Sequence, residues 1–136
     1  MRFLLDTNVL SELTKPSPSP RLVEWVGENQ DASAISTITI GELIRGVEYL
    51  PDGKKKNRLR TAVRFFLQDY RDRLLAFDEW VAATWGRHCA RVRAAGLPLS
   101  ILDSQIAATA LHYELQVVTA NAAHFPLVVT VNPFRD

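Results

Sequence analysis

Three carboxylates in this chain fall where a crevice beyond the ends of strands is expected. Asp6 closes the apolar run Phe3-Leu4-Leu5, Glu42 follows Thr39-Ile40-Gly41, and Asp103 follows Ser100-Ile101-Leu102. Each has an ordinary structural reading. Asp6 suits the N-cap of a helix. Thr39 and Glu42 have the spacing of a capping box, and Ser100 with Asp103 is a looser version of it. The helix faces point to a second reading. At helical spacing Asp103 lies with Ile106, Ala107 and Ala110, and Glu42 with Ile38, Gly46 and Tyr49, so both are expected on core-facing stripes. A carboxylate aimed at a core is costly or takes up a proton. One shared divalent cation removes that cost by turning mutual repulsion into ligation. Clustered oxygen donors, with one cysteine and three histidines in the whole chain, favour Mg²⁺ or Mn²⁺ over zinc.

Such a site needs a sheet whose strand ends converge. Phe3-Leu4-Leu5 reads as a short buried strand, and 7–13 as a short helix. The run Thr14-Lys15-Pro16-Ser17-Pro18-Ser19-Pro20 is a loop, because three prolines remove three donors. Ser19 before Pro20 is a helix start, and that helix reaches about Asn29. Residues 32–36 read as a second strand and 37–50 as a helix closed by Pro51-Asp52-Gly53. The spacing of Leu59, Ala62, Val63, Phe66, Leu67 and Tyr70 predicts an amphipathic helix over 54–71. A third strand follows at 74–77. Asp78 caps a helix to Ala95 that Gly96 and Pro98 end. Ser100 begins a helix to about Leu115, with strands expected at 116–119 and 127–131. Strands alternating with helices predict a parallel sheet with helices on both faces, whose ligand crevice lies beyond the strands' carboxyl ends.

The chain has 136 residues, 47% hydrophobic and 23% charged, and is expected to form a single domain over 1–136. Sixteen Lys and Arg against fifteen Asp and Glu leave a net charge of +1, so only the distribution of charge can indicate a partner. A lone cysteine, Cys89, excludes a disulfide scaffold or a Cys-built zinc site. No apolar run approaches the ~18 residues of a membrane span. The N-terminus meets Asp6 after three apolar residues, too few for a secretion signal. The cytoplasm is the expected location.

Half of the basic residues crowd into 53–73, namely Lys54, Lys55, Lys56, Arg58, Arg60, Arg64, Arg71 and Arg73, against Asp69 and Asp72. Arg87, Arg91 and Arg93 form a second cluster. Such surfaces suit a phosphate backbone, and equally the solvated face of a helix. Arg45 is placed to pair with Glu42 or to reach a phosphate. His88 and His112 fall within helices as packed or surface residues, and Cys89 as a small core residue. Trp25, Trp80 and Trp85 fit helix packing. Phe65 lies off the main apolar stripe, where it can mark a partner surface.

Four segments carry a family resemblance: Leu4-Leu5-Asp6-Thr7-Asn8-Val9-Leu10, Ser36-Thr37-Ile38-Thr39-Ile40-Gly41-Glu42-Leu43, Leu102-Asp103-Ser104-Gln105-Ile106-Ala107-Ala108-Thr109-Ala110, and Val118-Thr119-Ala120-Asn121-Ala122-Ala123-His124-Phe125. In this order and at these separations the chain resembles PIN-domain proteins of the VapC/FitB type, the toxin ribonucleases of bacterial toxin–antitoxin pairs. The resemblance implies a PIN-like α/β/α sandwich around a central, mainly parallel sheet of four to five strands. It implies Asp6, Glu42 and Asp103 as an acidic triad that binds Mg²⁺ or Mn²⁺, with Thr7, Asn8 and Thr119 as supporting polar residues. Many relatives carry a fourth acid at or near the positions held here by Asn121 and His124. Asn121 offers an amide oxygen without charge. The implied reaction is hydrolysis of RNA to 5′-phosphate and 3′-hydroxyl ends; the basic clusters, not the resemblance, make Arg45, Lys54, Lys55 and Lys56 the candidate RNA contacts. A homodimer and a cognate VapB-type antitoxin are the implied partners. The Pro-rich loop together with the 54–71 helix is the candidate antitoxin surface. Two alternatives stand beside this reading. One is a PIN-like binding module without turnover. The other is a phosphatase, since Asp6-Thr7-Asn8 superficially resembles the haloacid-dehalogenase nucleophile segment, although Asn8 stands where those enzymes need a second Asp.

Overall fold

The computed structural model describes residues 1–135. Its elements alternate as expected: β1 (Phe3–Leu5), α1 (Thr7–Leu13), α2 (Pro20–Asn29), β2 (Ser33–Ser36), α3 (Thr37–Glu48), α4 (Lys54–Asp69), β3 (Leu74–Leu75), α5 (Glu79–Ala94), α6 (Ile101–His112), β4 (Gln116–Val118) and β5 (Thr130–Val131). Short 3-10 turns precede β2 and β3 and follow β4. All strand pairs are parallel, in the order β3-β2-β1-β4-β5. The chain therefore builds outward from β1 on one side and then returns to β1's other edge. This reversal places the crevice of an open parallel sheet at the carboxyl ends of β1 and β4.

Strand alternation divides the core into two layers. Phe3, Leu5, Ile35 and Val118 face one side, where they pack with Val9, Leu10, Leu22, Val26, Leu43, Val47 and Val63 of α1–α4. Leu4, Ala34 and Val117 face the other side and pack with Ile106, Ala107 and Ala110 of α6. α5 lies along α6 as an outer element. Leu4 and Leu5 are both fully buried, so β1 is covered on both faces. Leu5→Ala would cost about 2–5 kcal/mol by the usual cost of such cavities.

Local signals act where expected. The Ser19 hydroxyl accepts from the Leu22 N–H to start α2, with Pro20 in its first turn. Asp78 accepts from the N–H groups of Trp80 and Val81 to start α5. That helix ends at Gly96 with φ +68°, where Leu97 N–H reaches Val92 O and Gly96 N–H reaches Arg93 O. This is the double bond pattern of a glycine-terminated helix.

Some boundaries differ from expectation. The 127–131 strand shrinks to Thr130–Val131, because Leu127 adopts φ +62° and cannot extend the ladder. Trp80 is exposed rather than packed, and Cys89 is only half-buried. Among the described residues no helix is long and apolar enough to cross a membrane.

Candidate active site

Asp6 sits immediately after the central strand, so the fold delivers it to the middle of the sheet's carboxyl edge. Its N–H donates to Val118 O at 3.0 Å, which ties the end of β1 to β4. Its side chain also caps α1, with Oδ1 accepting from Thr7 N–H at 2.7 Å. The structural and functional readings of Asp6 thus coexist in one residue. Oδ2 accepts from the Thr119 hydroxyl at 2.9 Å, and Thr119 in turn accepts from Asn121 N–H at 3.0 Å. Asp6 is only 5% exposed. Burial pushes its carboxyl up to about 6, against the opposing hydrogen bonds from Thr119 and Thr7. The negative charges of Asp103 and Glu42 push in the same direction as burial. The three acids therefore share one electrostatic environment.

Glu42 comes from α3, on one layer. The cap of that helix is Ser36, whose hydroxyl accepts from Ile38 N–H; Thr39 lies buried inside the helix, so no Thr39–Glu42 capping box forms. Thr39, Leu43 and Val47 make the inward stripe, whereas Gly46 and Tyr49 are exposed. Glu42 is displaced to the border of that stripe and is half-buried. There its Oε1 accepts from the Thr7 hydroxyl at 2.7 Å, and the Thr39 hydroxyl lies 3.4 Å from that of Thr7. One residue, Thr7, thus contacts Asp6 through its backbone and Glu42 through its side chain.

Asp103 comes from the first turn of α6, on the opposite layer. Ile106, Ala107 and Ala110 are buried as their spacing predicts. Ser100 occupies the cap position without a side-chain cap bond. The turn is fixed instead through Ser104, which donates to Ile101 O and accepts from Trp85 Nε1–H at 2.8 Å. Asp103 Oδ2 lies 3.7 Å from His124 Nδ1.

Among the described residues, the Lys and Arg ion pairs go to Glu12, Glu48 and Asp52, and none goes to Asp6, Glu42 or Asp103. Acidic oxygen donors whose charges bear on Asp6 and that lack a Lys or Arg partner among the described residues fit a hard divalent cation by their chemistry. No three His, Cys, Asp or Glu side chains among the described residues close into a direct metal cage. An ion here would keep water in its shell, as Mg²⁺ ordinarily does.

The remaining candidates are scattered. Asn8 Oδ1 is buried without a hydrogen-bond partner among the described residues, and Asn121 is exposed. Arg45 is exposed and makes no ion pair with Glu42. Lys54 and Lys55 are exposed. Lys56 is different. It is buried, with its ammonium 3.3 Å from Asp52 and 3.5 Å from Glu48, so its charge is committed inside the protein and not to RNA. Arg60 is likewise held by Glu48. Phe65 is exposed, while His88 is buried with no partner for Nε2 among the described residues.

A cleft of about 560 Å³ opens beside Glu42, between the Pro-rich loop and α3–α4. Glu42 and Thr7 stand on its wall, Leu43, Val47, Leu59 and Val63 form its apolar floor, and Lys15 and Lys55 line it as well. Sequence reasoning gave Lys15 no role, and only its place next to Pro16 in the anticipated loop signalled it.

A PIN domain family model matches residues 3–128. Toxin FitB of Neisseria gonorrhoeae is 37% identical, over 98% of this chain and 99% of its own length. VapC ribonuclease Y4jK of Sinorhizobium fredii is 32% identical, over 90% of this chain and 89% of its own. Among solved structures, FitAcB from Neisseria gonorrhoeae superposes with a TM-score of 0.91 at 36% identity, over 98% of this chain and 99% of that one.

Proposed function

This chain belongs to the PIN-domain family, and on that premise we propose that it is a metal-dependent endoribonuclease acting as the toxin of a toxin–antitoxin pair. The observation that supports the reading is that Asp6, at the end of β1, feels the charges of Glu42 from α3 and Asp103 from α6, while among the described residues no Lys or Arg pairs with any of the three. The ribonuclease name of a 32% identical relative supports the reaction class. Family membership and the oxygen-only triad argue against the haloacid-dehalogenase alternative, which needs an aspartyl nucleophile with a second Asp at Asn8.

Asp6 and Asp103 would hold Mg²⁺ or Mn²⁺, and the bound ion would supply a water of lowered pKa and neutralise phosphate charge. The chain's own residues do the positioning. Thr119 and Thr7 fix the two oxygens of Asp6, and Thr7 also orients Glu42. Glu42 is placed at the cleft wall to align the attacking water. The water oxygen adds to phosphorus and the P–O3′ bond breaks, which leaves a 5′-phosphate and a 3′-hydroxyl.

RNA is the substrate class. Arg45, Lys54 and Lys55 are exposed cations on the α3–α4 side that suit its backbone. The apolar cleft beside Glu42 suits the cognate antitoxin, through a helix with apolar anchors. The same reading takes residues 1–136 as one domain, the homodimer as its assembly and the cytoplasm as its location.

The test is RNA cleavage by purified protein with Mg²⁺, Mn²⁺ or EDTA, run beside Asp103→Asn. Cleavage is expected only with wild-type protein and added cation. Equal cleavage by the folded Asp103→Asn variant would overturn the assignment.

A further inference from the structure

Val81, Trp85, His88 and Val92 recur at helical spacing along α5, so they share one face of the helix. Val81 and Val92 are fully buried and His88 is 2% exposed. The element across this face is α6, where the Ser104 hydroxyl accepts from the Trp85 indole N–H at 2.8 Å. His88 therefore sits in the seam between the two helices. Its Nε2 is sealed from water and meets no hydrogen-bond partner among the described residues. A proton added to this ring would place a charge in the seam with nothing there to receive the new N–H.

No acid compensates the ring. From α6, His112 approaches Thr84 of α5, with Nδ1 3.3 Å from the hydroxyl, and Asp103 adjoins Ser104 in sequence. Neither bears on the charge of His88. Burial, followed by the positive charge of Arg91 three residues further along α5, holds the imidazole below its ordinary range.

We propose that His88 is an acid-sensitive lock on the α5–α6 pair, which closes around the neutral imidazole and opens more readily in mild acid. The pair carries Asp103 in the first turn of α6, so its opening takes that acid away from the sheet's edge. By linkage, an exposed imidazole takes up its proton near 6.5 and the packed ring only at lower pH. The stability of the closed pair is thus complete above 6.5 and declines as pH falls below it. The population of the opened pair rises by at most about tenfold between pH 7.5 and pH 5.5.

The test is amide hydrogen exchange of the full chain in EDTA at pH 7.5 and pH 5.5, corrected for the intrinsic pH dependence of exchange, on wild type, His88→Leu and His88→Gln. Leucine fills the seam with an apolar group, and glutamine keeps a polar side chain that does not titrate. Exchange resolves α5 and α6 from the rest of the chain, where Asp6 acts with the opposite sign. In wild type the protection of α5 and α6 should fall by up to about tenfold in acid. In either variant it should change by less than about twofold. Wild-type protection that holds at pH 5.5, or a loss that persists undiminished in the folded variants, overturns the inference. NMR titration of the wild-type ring needs no variant: His88 should stay neutral as pH falls through 6.5, and a ring that protonates there overturns it as well.

Discussion

The Thr119 hydroxyl donates to Asp6 Oδ2 across 2.9 Å, which joins residues 113 positions apart. This bond is the largest influence that favours the charged form of Asp6 against burial. Thr119→Val keeps the shape and removes the donor. The Asp6 carboxyl should then rise further above its present value of about 6. In the metal-free protein the Asp6 titration, followed by NMR in EDTA, should move up by about one unit, the scale of a hydrogen bond to a charged group. Thr119→Ser should restore the wild-type titration. A titration that stays in place in Thr119→Val would show that this hydroxyl does not hold the Asp6 charge.

Asp6 itself should trade stability for function. Its carboxyl lies at about 6 in the folded protein against an ordinary 3.8. Below the lower value both folded and unfolded states hold the proton. As pH rises through that window the unfolded state releases it first, so folding stability falls, by roughly 3 kcal/mol at most once both are ionised. Asp6→Asn removes this loss. In EDTA at pH 7.5 the variant should melt several degrees higher than wild type, with the advantage gone at pH 4 and RNA cleavage abolished at every pH. Thermal melts at the two pH values check the sign. A variant less stable than wild type at pH 7.5 would contradict it.

Neighbouring lysines on α4 should behave oppositely. Lys56 is buried against Glu48 and Asp52, and its ammonium also donates to Glu48 O. Lys56→Ala should cost roughly 1 kcal/mol of stability, chiefly through lost packing of its buried stem, because Asp52 is exposed to water and Glu48 keeps Arg60. Lys55 is exposed beside the cleft. Lys54→Ala with Lys55→Ala should leave the denaturant midpoint in place, weaken single-stranded RNA binding and flatten its salt dependence by about 0.7 per lost phosphate contact. Urea unfolding and binding titrations at several salt concentrations separate the two effects.

The elements were legible because their signals are local. Pro20 after Ser19, Asp78 before α5 and Gly96 after it each act within one turn. The amphipathic stripe of α4 could be read from Leu59, Val63 and Tyr70 alone, and the positions of Asp6 and Asp103 followed from where β1 ends and α6 begins, whereas Glu42 lies inside α3. What stayed hidden depends on distant partners. Thr7 reaches Glu42 across 35 positions, and no spacing in the sequence signals that hydroxyl contact. Lys56 was indistinguishable from Lys54 and Lys55 until the α3–α4 hairpin placed Glu48 and Asp52 around it. The stripe assigned to Glu42 failed because Leu43, the next residue round the helix, takes the inward place.

Gly46 offers a direct test of the cleft beside Glu42. It is an exposed residue of α3 on the cleft wall, and a Cβ built there meets nothing within 4 Å. A tryptophan at this position can therefore project into the cleft without disturbing Leu43 or Val47 beneath it. Replacing a helical glycine also favours the helix by a few tenths of a kcal/mol, so the fold should not suffer. If an antitoxin helix lays its apolar anchors over Leu59 and Val63, the indole occupies part of the same space. Gly46→Trp should then weaken binding of the cognate antitoxin by about tenfold or more, the cost of losing one hot-spot contact. Gly46→Ala, too small to fill the cleft, should bind as wild type does. Calorimetry with purified antitoxin measures both. Equal affinity of wild type and Gly46→Trp would place the antitoxin elsewhere, and the apolar floor of Leu43, Val47, Leu59 and Val63 would then need another occupant.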